Sequence, residues 1–149
     1  MKPLFLFLLL TIQVGYSQID YKLLNSYSEH TSGIECAVLS PDGKTLITVD
    51  EGGFLFYWDV NTMKIVYRTR GHGSLINSVL FNKSGTKFVT CDESSKIKLW
   101  DFTTRKLIMS YTSPFNLIAF AVLSADEKYI YFGGYPTMNY SSRAYEQTG

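Results

Sequence analysis

Histidine is nearly missing from this chain, with only His30 and His72, and cysteine is as scarce, with Cys36 and Cys91. So few ligating and nucleophilic side chains form no Cys or His cluster at zinc spacing. There is also no Gly-rich phosphate loop and no Gly-x-Ser-x-Gly elbow. Catalysis needs convergent acid, base, nucleophile or metal ligands; their absence from the sequence points away from an enzyme, and no cofactor and no metal are expected. An apolar run of the ~20 residues that span a bilayer is lacking too, so membrane insertion is not expected. Neither charge dominates: 14 Lys plus Arg stand against 13 Asp plus Glu. Without clustered positive charge there is no field to gather phosphates, and no nucleic-acid partner is expected. The densest basic spots are Lys64, Arg68 and Arg70, and then Lys96, Lys98, Arg105 and Lys106. These alternate with apolar residues and read as solvated strand faces.

What is present starts at the N-terminus. Lys2 precedes an unbroken apolar run from Leu4 to Leu10, followed by Thr11, Ile12 and the small residues Gly15 and Ser17. That is the order of parts in a secretory signal peptide, so residues 1–17 are expected to be removed near Ser17 and the mature chain to be secreted or periplasmic. No cysteine lies at that junction to carry a lipid. An oxidising compartment would let Cys36 and Cys91 pair if geometry allowed. Each replaces a small apolar residue within a strand pattern, in a different unit, and buried thiols are expected instead.

Self-comparison gives a period of 42 residues. Trp58-Asp59 recurs as Trp100-Asp101, His30 as His72, and Gly43 as Gly85. The same offset carries Lys22-Leu23-Leu24 onto Lys64-Ile65-Val66 and Lys106-Leu107-Ile108, so three units are visible. A fixed period of this size marks an array architecture. Within a unit the apolar runs are short, β-branched or aromatic and punctuated by turn residues, which predicts strands. Four fit each unit, named a to d in chain order: about Ile34 to Leu39, Lys44 to Val49, Phe54 to Trp58 and Lys64 to Arg68 in the first. Ser40-Pro41-Asp42-Gly43 joins a to b, with proline where its fixed φ suits a type I or II turn.

Gly71-His72 and Trp100-Asp101, with Glu29-His30 and Trp58-Asp59 matching all but the glycine, resemble the WD-repeat family of β-propellers. The resemblance covers about Asp20 to Ile130. It implies an all-β chain of four-stranded antiparallel blades, about three blades' worth, in an incomplete ring. Units fall at about 29–70, 71–112 and 113–149, within a segment 18–149, and an extra outer strand lies near 19–27. In the family a His, a strand b Ser or Thr, a b–c turn Asp and the strand c Trp form a hydrogen-bonded chain. The resemblance assigns His72, Thr90 and Trp100 to it in the second unit, and His30, Thr48 and Trp58 in the first, with Asp101 and Asp59 completing each Trp-Asp pair. The Asp position falls on Ser94 and Gly52, with Asp92 and Asp50 two residues away as substitutes. In the third unit a strict offset puts Ser142-Arg143 where Trp-Asp should be, and a slide of three residues gives Tyr145-Glu146.

The strand count is twelve, which equals three blades. Propellers close with about 4 to 8, so an open array with exposed edges and an uncovered apolar face is expected, and with it self-association. The chain reads as the N-terminal part of a longer protein, with oligomeric closure as the alternative. Asp50, Glu51, Asp92 and Glu93 sit in the same loop of successive units, and with Arg70 they are the candidate partner-facing residues. Turn chemistry is the competing reading of the aspartates. Two functional classes follow: a non-catalytic protein-binding, scaffold or sensing module of an exported protein, with a protein or peptide partner; or the N-terminal propeller segment of a longer exported enzyme.

Overall fold

The computed structural model describes residues 29–134 and, as backbone alone, residues 143–146. The chain divides into two compact units, Met1–Gly33 and Ile34–Gly149. Of the first only residues 29–33 are described; the expected leader and the outer strand near 19–27 lie outside the described residues. The second unit carries eleven strands and no helix among the described residues: β1 Ile34–Leu39, β2 Thr45–Asp50, β3 Phe54–Asp59, β4 Lys64–Arg70, β5 Ile76–Phe81, β6 Lys87–Asp92, β7 Lys96–Asp101, β8 Leu107–Thr112, β9 Ile118–Leu123, β10 Tyr129–Gly134 and β11 Arg143–Glu146. They form three antiparallel sheets, β1-β2-β3-β4, β5-β6-β7-β8 and β9-β10-β11, and no closed barrel.

Burial follows the apolar pattern along each blade. Strands b and c read as continuous apolar runs and are buried on both faces: β2 is buried from Leu46 to Asp50 and β3 from Leu55 to Trp58. Strand d alternates exposed and half-buried residues in β4, as a sheet edge does. Between the first two sheets lie Ile47, Val49, Leu55, Tyr57, Ile76, Val79, Phe88 and Trp100. Between the second and third lie Val89, Cys91, Ile97, Leu99, Ile118, Ala121, Ile130 and Phe132. Each fully buried aliphatic or aromatic side chain contributes about 1.5–3 kcal/mol, so each sheet depends on its neighbour for its core. Both thiols are free; Cys91 is buried and Cys36 half-buried, and burial raises the Cys91 pKa to about 12.

The 42-residue period is a period of backbone conformation as well as of sequence. Gly43, Gly85 and Glu127 take φ +71°, +72° and +61° at the end of the a–b turn. Gly53 and Ser95 do the same in the b–c turn, and Met63 and Arg105 after strand c. The register shifts between Ile34 and Cys36, between Ile76 and Ser78, and opposite Gly133/Gly134, which puts a bulge at Glu35, Asn77 and Ala119 in the three a strands. A second bulge falls at Val66 and Ile108 in the d strands. An extra residue leaves the ladder and is turned outward there, which accounts for Val66 and Ile108 being 51% and 45% exposed.

The third blade also settles its own register. Leu46 pairs with Trp58 and Phe88 with Trp100; the equivalent Ile130 pairs with Tyr145. Tyr145-Glu146, not Ser142-Arg143, takes the Trp-Asp place.

Candidate functional site

His72, Asp92 and Asp50 lie at the end of the blades where the b–c turns sit beside the loops that lead into the a strands. Gly53 O accepts from the backbone N–H groups of Gly71 and His72, and Ser95 O accepts from Ser113 N at 2.8 Å. These bonds tie the b–c turns of the first two blades to the loop entering the next blade.

In the second blade, Trp100 Nε1 donates to Thr90 Oγ1 at 2.8 Å. Thr90 Oγ1 lies 2.7 Å from His72 Nε2, and His72 Nδ1 lies 2.8 Å from Asp92 Oδ2. His72, Thr90 and Asp92 are buried to within 3% of complete. Burial lowers the His72 pKa, opposed by its bond to Asp92, which favours the neutral ring at neutral pH. One proton arrangement satisfies every group: the indole donates to Thr90, the Thr90 hydroxyl donates to Nε2, and Nδ1–H donates to the carboxylate. Burial penalises the Asp92 carboxylate, but bonds from Lys96 N, His72 and Ser94 outweigh that and keep its pKa below the usual range.

Asp92 thus takes the acidic place that the family resemblance puts on Ser94, as a substitute two residues away. The aspartate ends β6, and its second oxygen accepts from Lys96 N at 2.9 Å and Ser94 Oγ at 2.8 Å, so one carboxylate both closes the b–c turn and holds the histidine. The first blade repeats part of this. Trp58 Nε1 donates to Thr48 Oγ1 at 2.9 Å, and Asp50 Oδ1 accepts from Phe54 N at 2.9 Å. His30 is half-buried in the separate unit. At the opposite end of the blades Asp59 and Asp101 close the c–d turns, each accepting from the backbone and hydroxyl of Thr62 or Thr104.

This geometry corrects one part of the partner-facing set. Asp50 and Asp92 are 1% and 0% exposed and point inward, because turn closure and the histidine use their oxygens. Glu51, Glu93 and Arg70 are exposed. The third blade lacks the polar chain. Pro114, Phe132 and Gly134 stand at the offsets of His72, Thr90 and Asp92, and Phe132 is buried among apolar residues instead.

A contact not anticipated from the sequence joins blades two and three. Glu127 accepts from Asn82 Nδ2 at 2.5 Å and pairs with Lys87 Nζ at 2.8 Å. Its only sequence signal is Asn82 standing where the other units have Ser40 and Ser124.

The family model described as "WD domain, G-beta repeat" matches residues 21–59 and 63–101. The chain belongs to the WD40 repeat family. The two matches are themselves 42 residues apart, and both end on the Trp-Asp pair that closes strand c. A mouse protein, WD repeat-containing protein 38, is 31% identical over 45 residues, which are 30% of this chain and 15% of that protein. The chain therefore spans a small part of that relative. WD40 repeats suggest a protein-interaction or scaffold module, and WD40 proteins are generally non-catalytic.

Proposed function

We propose that this WD40 chain is an exported, non-catalytic binding module that meets a protein or peptide partner at the end of its blades carrying the b–c turns. The observation that supports this reading is how that end is built. Buried Asp50 and Asp92 brace the turns from inside, while Glu51 and Glu93 are exposed on those turns and Arg70 is exposed at the end of β4, before the loop entering the second blade. Polar side chains on a preorganised frame recognise a partner at low ordering cost. Export rests on the leader-like residues 1–17 and their expected processing near Ser17.

The test is site-specific photo-crosslinking in the cells that make the protein, with the reactive residue at Glu51 or Glu93 and, as control, at Leu107 on an outer strand. A discrete adduct from Glu51 and Glu93 but not from Leu107 supports the reading. Equal labelling from all three, or none, overturns it. Export is tested by intact mass: material outside the cytoplasm beginning at Gln18 supports it, and an unprocessed chain retained inside overturns it.

A further inference from the structure

We propose that the cleft between the second and third blades, beside Glu93, binds a basic side chain, lysine or arginine, of the partner polypeptide. This rests on the interaction reading above and names the chemistry recognised.

The cleft has a volume of about 370 Å³ and is lined, among the described residues, by Asn77, Glu93, Leu117, Ile118 and Ala119. Its two polar groups are placed by backbone structure. Asn77 is the bulge residue of β5, so it leaves the ladder. Its Nδ2 donates to Ile118 O across the blade junction at 2.8 Å. That bond fixes the amide and leaves Oδ1 as an acceptor with no protein partner among the described residues. Glu93 is held through its backbone, whose N–H donates to Leu75 O at 3.0 Å. Its carboxylate is exposed and has no partner among the described residues. The cleft thus offers two acceptors, one of them anionic.

The opposite wall is apolar and stiff. Leu117 holds φ +57°, uncommon for a bulky residue, and yet is 43% exposed. A Cβ on Gly134 would collide with the Leu117 carbonyl, so glycine there lets β10 seat this loop. Half-buried Ala119 continues the wall, and Ile118, which also lines the cleft, turns its side chain into the core beneath. A lysine or arginine has the matching parts: an aliphatic stem to lie on Leu117 and Ala119, and a head that only donates, to Glu93 and Asn77 Oδ1. An acidic or purely apolar side chain would leave the acceptors unmet or repelled.

The experiment is an NMR titration of the isotope-labelled chain with acetyl-Ala-Ala-Lys-Ala-Ala-amide, its arginine counterpart and a norleucine isostere. Lysine and arginine peptides should shift the Asn77 side-chain amide and the backbone amides of Glu93, Leu117 and Ile118, and norleucine should not. Glu93→Gln, an exposed substitution that leaves the thermal midpoint unchanged, should weaken binding by about tenfold, the scale of one charge-assisted contact. Equal shifts with norleucine, unchanged affinity in Glu93→Gln, or no shift up to about 10 mM peptide, where even a weak contact registers, would overturn the assignment. If crosslinking at Glu51 and Glu93 still captured a discrete partner, the cleft assignment alone would have failed.

Discussion

His72 Nδ1 and Asp92 Oδ2 meet at 2.8 Å with neither side chain exposed to water. The pair joins the loop entering the second blade to the end of its strand b, and through Thr90 it reaches the indole of Trp100. Truncating Asp92→Ala strands Nδ1–H and opens the b–c turn at Lys96 N. A buried donor left unpaired costs about 1–3 kcal/mol, so urea denaturation should show a loss at the upper end of that range. Ser94→Ala removes only the hydroxyl bonded to the outer side of the carboxylate and should cost less than about 1 kcal/mol. Equal effects would show that the Asp92 carboxylate contributes no more than the Ser94 hydroxyl.

Acid should weaken the fold through the same pair. Burial lowers the His72 pKa in the folded chain, so below the unfolded value of about 6.5 the unfolded state binds the additional proton. Stability therefore falls as pH drops through that value and goes on falling until the folded His72 titrates. Asp92, also lowered on folding, adds a second loss only as pH falls below about 4. Folding free energy measured from pH 7.5 to 5 should decline in the parent chain and be flatter in His72→Gln. Parallel slopes would show that another group carries the dependence.

Two glycines with the same backbone sign should behave differently. Gly43 at φ +71° has open space where a Cβ would lie, whereas Gly53 at φ +78° would place one 2.9 Å from Ser74 O and closer still to His72 O. Gly43→Ala should cost about 1–2 kcal/mol, from left-handed strain alone. Gly53→Ala adds a clash with backbone at the junction of two blades and should exceed it clearly, by thermal unfolding. Similar losses would mean that the b–c turn can move away from the loop.

The fold was legible because the period carries conformation with it. Trp58 and Trp100, His30 and His72, and Gly43 and Gly85 sit 42 residues apart, and the four strands of the first blade begin and end within two residues of the expected bounds. In the second blade the polar chain was legible in its members, but the acidic one lies two residues from the place the resemblance gave it, because a carboxylate at a strand end can close a turn with one oxygen and bind with the other. Asn77 escaped notice because a bulge is not written in residue type; Glu35 and Ala119 hold the same place. The leader and the outer strand near Lys22 lie outside the described residues.

Blades two and three should be coupled electrostatically, and only modestly. Lys87 and Glu127 pair at 2.8 Å, but both side chains keep about 30% of their exposure, so solvent screens the attraction. A double-mutant cycle of Lys87→Ala and Glu127→Ala should give about 0.2–1 kcal/mol at low salt. The coupling should shrink as ionic strength shortens the Debye length. A coupling that resisted about 0.5 M salt would show that the pair is not a solvent-screened surface ion pair.

Among the described residues, the far face of the third blade carries exposed aromatic side chains. Phe120 and Tyr131 are 51% and 46% exposed, yet the residues at the same places in the second blade, Ser78 and Val89, are 7% and 0% exposed beneath the third. Tyr131 shares its face with Val122 and Phe120 with Gly133, each facing the other across β9 and β10. The pleat therefore groups these apolar side chains on one surface, and an apolar sheet face open to water favours association. Light scattering on the purified chain should show a mass rising above 16.9 kDa with concentration. The double substitution Phe120→Ser with Tyr131→Thr should hold it near the monomer without lowering the thermal midpoint, since both positions lie outside the two buried cores. A parent chain monomeric at every concentration would show that this face is satisfied within one molecule.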